Sequence, residues 1–387
     1  MDQPKENTVF KSLATISFIL TFLISTTLQA AIPTPAPPKV AGSGHLLIDF
    51  DSGHIISEEN ANARLEPASL TKLMTAHVVF HELKSGNLSL DDEAVISEKA
   101  WKTGGSKMFI EVGKKVKIRD LLKGMIIQSG NDASIALAEH IAGSESVFAS
   151  MMNTQAKKLG MLNTNFVNSS GLPHPDHYTT AEDMAKVAMA TIRHFPEYYP
   201  WYSQKDFEFN GIRQSNRNKL LWKDKSVDGL KTGHTEAAGY CLVSSAKRDG
   251  MRLVSVVMGT SSMKSREEES LKLLNYGFRF FETHKLYSAG DALSTAKVWK
   301  GDADNLAVGI KKDLFITIPR NQYDNLEASI QLNSQITAPI SEGQQLGSLI
   351  ISLSGNIVAE QPLVALKSVA EGGFFGNLID NVMMMLE

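Results

Sequence analysis

Apolar and polar positions change period along the chain, and the changes mark its elements. His45–Phe50 and His54–Ser57 are short apolar runs on either side of Asp51-Ser52-Gly53, which predicts strand, turn, strand. After Pro67-Ala68-Ser69 the period lengthens. Leu70, Leu73, Met74, His77, Val78 and His81 recur at three and four, the spacing of an amphipathic helix. Arg119–Gln128 predicts a second helix, broken by Ser129-Gly130-Asn131-Asp132, and Ala133–Ile141 starts another. Ser146–Leu159 is helical with Gly160 as its cap, and Thr180–Ile192 opens on Thr180 with Asp183 three positions later. Tyr240–Ser245 and Arg252–Met258 are apolar runs joined by Lys247-Arg248-Asp249-Gly250, a hairpin, and Ser265–Thr283 predicts a long helix. Strands thus lie at both ends of residues 44–294 with helices between them, the pattern of an α+β sandwich on an antiparallel sheet.

Beyond residue 294 the runs become short and strand-like: Leu314–Ile318, Glu327–Leu332, Leu349–Leu353 and Leu363–Leu366. They predict a small all-β domain, a β-sandwich, over residues 295–366. Residues 367–387 close the chain with a helical period. Phe374, Leu378, Val382 and Met385 form one apolar row, and Phe375, Ile379, Met383 and Leu386 form the next. Asn377, Asp380 and Asn381 take the other side, as in a helix lying in a membrane interface. That polar side has no Lys or Arg, so binding would rest on apolar area rather than on attraction to anionic headgroups.

The other end of the chain carries an address. Lys5 and Lys11 precede the apolar run Leu13–Leu28, which ends in Gln29-Ala30-Ala31, the layout of an export signal cleaved near Ala30 or Ala31. Residues 1–31 are read as signal peptide and residues 32–43, rich in proline, as an extended mature N-terminus. The 387 residues are 43% hydrophobic and 21% charged, a globular composition. A net charge of −3 argues against a nucleic-acid partner. The single cysteine, Cys241, excludes an intrachain disulfide and reads as a small buried apolar residue.

Three short motifs carry candidate chemistry. Ser69-Leu70-Thr71-Lys72 opens the first helix, and a spacing of three puts both side chains on one face. A serine hydroxyl becomes a nucleophile when a base takes its proton, and a lysine serves as that base when burial lowers its pKa. Ser129-Gly130-Asn131 sits at the helix break, with a hydroxyl to relay a proton and an amide to orient a substrate. Lys231-Thr232-Gly233 begins an apolar run, offering a cation, a hydroxyl and a glycine that would let a substrate backbone approach. Each motif alone is common. In this order they form the signature of class A β-lactamases and penicillin-binding proteins. Neither His-Glu-x-x-His nor paired-cysteine spacing is present, so no metal and no cofactor is implied.

The longer stretches PASLTKLMT, IIQSGNDAS, NSSGLPHPDHYTTAEDMA, NRNKLLW, VDGLKTGHTEAAGYC and YGFRFFET are more specific. With them the chain resembles the low-molecular-mass penicillin-binding proteins, serine-type D-alanyl-D-alanine carboxypeptidases, over almost its whole mature length. The resemblance implies a β-lactamase/transpeptidase-like catalytic domain, and its small β domain and EGGFFGNLID resemble the family's second domain and terminal membrane helix. It implies removal of the terminal D-alanine from peptidoglycan stem peptides, with Ser69 as nucleophile and Lys72 as its base. Ser129 and Lys231 would pass the proton to the leaving amine. The backbone N–H groups of Ser69 and His234 would form the oxyanion hole, and Asn131 would hold the substrate amide. Lys231, Thr232 and Arg217 are candidates to read a free carboxylate, arginine through paired hydrogen bonds. His177, in a loop resembling the family's site rim, would support deacylation; His174 has no such match. β-Lactams would acylate Ser69 and inhibit, and the protein would sit at the periplasmic face of the inner membrane.

Two other activities share parts of this pattern. A class A β-lactamase needs a deacylating Glu in a Glu-x-x-Leu-Asn segment. Glu139, Glu145, Glu182, Glu197 and Glu208 all lack that context. A D,D-endopeptidase on peptidoglycan crosslinks would use the same motifs, and a non-catalytic wall-binding protein would need a defect that the intact motifs do not reveal.

Overall fold

The computed structural model describes residues 34–384. The leader falls outside those residues, as do Met385 and Leu386 of the terminal apolar rows.

A five-stranded antiparallel sheet organises the part of the chain that carries the three motifs. Its strands run in the order Ile55–Glu59, Gly44–Asp49, Met251–Thr260, Gly239–Arg248, Val227–Thr235. Alternate side chains leave opposite faces of each strand. Leu46, Val243, Val254 and Val256 enter the core shared with the helical layer. Leu47, Leu242, Leu253 and Val257 face the helix Met263–Phe280, packing on its Leu273, Leu274 and Tyr276.

The helix carrying Lys72 departs from its expected form. Ala68–Leu70 is a single 3₁₀ turn that runs into the α-helix Thr71–Lys84. Every residue from Thr71 to Phe80 is buried, so this is a core helix enclosed on all sides rather than an amphipathic one. The helix break is also tighter than expected. A π-turn, Gly124–Gln128, ends at Ser129 in the left-handed region (φ 69°), and Asn131 already begins the helix Asn131–Ala142. Thr180 caps the helix Ala181–His194 as expected, accepting from Asp183 N at 3.1 Å.

The predicted long helix stops at Phe280, short of Thr283. Phe281–Tyr287 is instead a strand paired with Leu314–Pro319, a partner the local helical spacing could not reveal. The second sheet of the β domain also contains two strands the apolar pattern missed, Ser294–Lys297 and Asn305–Gly309. They lie beside Asn356–Ala365, Gln345–Leu353 and Leu326–Leu332. Ile316 and Ile318 from the strand pair meet Leu349, Ile351 and Leu363 from the larger sheet in one core.

Buried Asp49 ties the two halves together. It accepts from Ser52 Oγ at 2.8 Å and from Thr283 Oγ1 at 2.8 Å, and Ser52 Oγ lies 2.6 Å from Thr317 Oγ1. At the chain end the helix Phe374–Met384 is tied to the β domain through Asp380, which accepts from Lys300 N at 2.5 Å. Leu378, Ile379, Val382 and Met383 are exposed. No helix among the described residues is long and apolar enough to cross a membrane.

Candidate active site

Two glycines frame the turn that presents Ser69. Ala68 adopts φ 47°, a conformation unfavourable for a residue with a Cβ. Its carbonyl is pressed against Gly171 (φ 84°), where an added Cβ would stand 1.8 Å from Ala68 O. Gly233 closes the other side: a Cβ there would meet Pro67 O at 3.0 Å and Ala68 Cβ at 3.2 Å. Gly233, expected to admit a substrate backbone, here admits the turn that carries Ser69, so that strand Val227–Thr235 can pack directly on it.

Lys72 is 1% exposed and its Nζ donates three hydrogen bonds, to Ser69 Oγ at 3.0 Å, Asn131 Oδ1 at 2.8 Å and Ser170 O at 2.6 Å. Burial drives its pKa down to about 7, against the opposing pull of the Asp132 and Glu145 charges. A fraction of neutral amine beside Ser69 is what general-base chemistry needs near neutral pH. Asn131, expected to hold the substrate amide, contacts Lys72: besides accepting from its Nζ, it donates from Nδ2 to Gly104 O at 2.7 Å. Asp132 next to it fixes the segment above the site, accepting from Met108 N at 3.0 Å and Phe109 N at 2.9 Å.

The second lysine reaches the same place from the sheet. Lys231 Nζ donates to Ser129 Oγ at 2.9 Å and to its neighbour's carbonyl, Thr232 O, at 3.0 Å. Burial holds its pKa well below the ordinary lysine range, and the charges of Lys72, Arg266 and Arg217 add to the effect. An open cavity of about 660 Å³ lies in front, with Ser69, Ser129, Arg217, Thr232, His234 and Arg266 in its wall. Arg217 stands exposed at the rim, its Nη2 donating to Ser106 Oγ at 3.0 Å. The His234 ring stacks on Tyr240 with centroids 4.0 Å apart. Another cleft, of about 510 Å³, opens between Asp51–His54 and the β domain and contains none of these residues.

Comparison with known proteins fits this geometry. Residues 31–262 match the family model described as D-alanyl-D-alanine carboxypeptidase, and residues 281–371 match the penicillin-binding protein 5 C-terminal domain. The chain is 42% identical to D-alanyl-D-alanine carboxypeptidase DacA of Escherichia coli over 98% of both chains. It is 44% identical to DacC of the same organism, over 98% of this chain and 96% of that one. Among solved structures, penicillin-binding protein 5 from Haemophilus influenzae superposes with a TM-score of 0.85 at 43% identity, covering 87% of this chain and 100% of that one. The chain belongs to the serine D-alanyl-D-alanine carboxypeptidases.

His177, expected to support deacylation, lies against the helix Thr71–Lys84. Its Nε2 lies 2.8 Å from Thr71 Oγ1, its Nδ1 accepts from Val167 N at 3.3 Å, and Phe166 packs edge-on against the ring. Accepting at Nδ1 puts the proton on Nε2, which donates to Thr71. Burial, with the charges of His174 and Lys72, pushes its pKa down to about 4. Both nitrogens are thus engaged, and the ring braces the helix Thr71–Lys84. Arg266 is the cavity residue that sequence reasoning missed. It is 4% exposed, donates from Nη1 to Gly233 O at 3.1 Å, and its Nε has no hydrogen-bond partner among the described residues. Its place in a helix 35 positions past Lys231 gave no local signal. No group of three or more His, Cys, Asp or Glu side chains among the described residues is arranged to hold a metal ion.

Proposed function

We propose that Ser69 and Lys72 carry out the hydrolysis of the terminal D-Ala-D-Ala bond of peptidoglycan stem peptides. Neutral Lys72 takes the Ser69 proton, and Ser69 Oγ attacks the carbonyl of the penultimate D-alanine. The backbone N–H groups of Ser69 and His234 stabilise the oxyanion. Ser129 and Lys231 hand a proton to the departing D-alanine amine, and water then cleaves the acyl-enzyme. Thr232 and Lys231 face the terminal carboxylate, with Arg217 at the rim and Arg266 adding positive field from the cavity wall. This set of cations favours a substrate with a free C-terminus over an internal crosslink. β-Lactams enter the same site and leave a slowly hydrolysed ester on Ser69. The leader directs export, and the exposed apolar face of Phe374–Met384 holds the enzyme on the periplasmic face of the inner membrane.

The observation that carries this reading is the 3.0 Å hydrogen bond between Ser69 and a fully buried lysine whose pKa lies at about 7. The test is D-alanine release from diacetyl-Lys-D-Ala-D-Ala by the full chain, alongside covalent labelling with a fluorescent penicillin. Penicillin abolishes release, and Ser69→Ala loses both signals. A labelled band persisting in Ser69→Ala would put the nucleophile elsewhere.

A further inference from the structure

A neutral lysine has two N–H donors and one lone pair. To accept the Ser69 proton, Lys72 must turn its lone pair to Ser69 Oγ and keep its two donors on the remaining acceptors, Asn131 Oδ1 at 2.8 Å and Ser170 O at 2.6 Å. Those two acceptors therefore aim the base. Asn131 is rooted in a helix, but Ser170 O belongs to the loop Asn168–Gly171, and a loop carbonyl is only as well placed as the bonds that hold its neighbours.

The holding bonds converge on one buried carboxylate. Glu145 Oε1 accepts from Ser169 N at 3.0 Å and from Ser169 Oγ at 2.7 Å, and its Oε2 pairs with Lys99 Nζ at 2.7 Å. Thr75 Oγ1, one turn along the Lys72 helix, donates to Ser169 O at 2.7 Å, and Asn168 Oδ1 accepts from Gly171 N at 2.7 Å. We propose that Glu145 is a positioning residue for the general base: through Ser169 it fixes the Ser170 carbonyl, and so points the Lys72 lone pair at Ser69. The proposal rests on Lys72 being the base.

Glu145 also acts through its charge. Burial alone would raise its pKa, but the donors from Lys99 and Ser169 outweigh it and keep the carboxyl ionised at lower pH than usual. The charged groups acting on Lys72 are Asp132 from the helix Asn131–Ala142, Glu145, Lys231 from the sheet, and His177 when protonated. Of these only Asp132 and Glu145 favour the ammonium. Neutralising Glu145 therefore makes Lys72 easier to deprotonate while leaving it worse aimed.

The experiment measures the rate constant for acylation by a fluorescent penicillin across pH for the full chain, Glu145→Gln and Ser169→Ala. Glu145→Gln is expected to lower the plateau roughly tenfold, the order of loss from a misplaced catalytic group, and to move the rising limb to lower pH. Ser169→Ala removes a clamp bond but keeps the charge, so its plateau falls while the limb stays. A purely structural role for Glu145 would lower the plateau without moving the limb, and that result overturns the proposal. So does a wild-type plateau in either variant. Lys72→Ala is the control for the underlying reading: retained acylation there would remove the base itself, a failure distinct from that of Glu145.

Discussion

Lys72→Met replaces an ammonium with an apolar side chain of similar length at a site that is 1% exposed. The wild-type group has a pKa of about 7 in the fold, while in the unfolded chain it returns to 10.5. Below the folded value both states hold the proton, and the fold bears the full cost of an enclosed cation, roughly 5 kcal/mol. Between the two values the unfolded chain binds the proton and the fold does not. Stability of the wild type therefore rises with pH across this window. Methionine carries no such cost at any pH. It does strip a donor from Ser69 Oγ, Asn131 Oδ1 and Ser170 O, about 1 kcal/mol or more apiece, but that loss does not vary with pH.

The variant is thus expected to gain on the wild type most at low pH. Its relative advantage should shrink by about 3 kcal/mol between pH 6 and pH 9. Lys231 moves the comparison the same way, because losing the Lys72 charge raises its lowered pKa. The assay is urea unfolding of both proteins at the two pH values, followed by tryptophan fluorescence. Trp101, Trp201 and Trp222 report on the catalytic half. Groups that titrate equally in both proteins cancel. A stability difference that is the same at pH 6 and pH 9 would mean that Lys72 stays charged throughout this range. It would then be no base near neutral pH, and the proposed mechanism would fail with it.

Arg217→Gln is expected to lower kcat/KM for a D-Ala-D-Ala peptide by about 10- to 100-fold through loss of a charged hydrogen bond to the carboxylate. A peptide ending in an amide should lose much less, and equal losses on both would sink the carboxylate role. Deleting residues 374–387 should abolish co-sedimentation with lipid vesicles while D-alanine release from soluble peptide stays at the wild-type rate. Continued sedimentation would place the membrane contact elsewhere.

What could be read from the sequence was whatever neighbouring residues settle between themselves. Ser69 and Lys72 meet because three positions along a helical turn bring them together, and the 3.0 Å bond follows from that spacing. The bond from Lys231 to Ser129 spans 102 positions, and only the order of the motifs announced it. Ser170 contributes a backbone carbonyl, an acceptor every residue owns, so no residue identity marked it as the partner of Lys72. His177 is the converse case: a histidine in a loop beside the motifs suggests chemistry, and only the structure sets its two nitrogens against Thr71 and Val167. Phe281–Thr283 continued a helical spacing, and only the pairing of Phe281–Tyr287 with Leu314–Pro319 makes them part of a strand.

The terminal helix brings these limits to bear on function. Its periodicity separates an apolar side from one bearing Asn377, Asp380 and Asn381, but periodicity cannot say which side turns outward. Read as a surface helix, Asp380 would face anionic headgroups and oppose binding. The bond from Lys300 N to Asp380 reverses that assignment, since the acid is spent on the β domain while Leu378, Ile379, Val382 and Met383 are left exposed. A helix moored through Asp380 needs no basic residues to approach a membrane. On the proposed reading, the carboxylate that would weaken attachment by facing lipid would support it by leaving the apolar face outward.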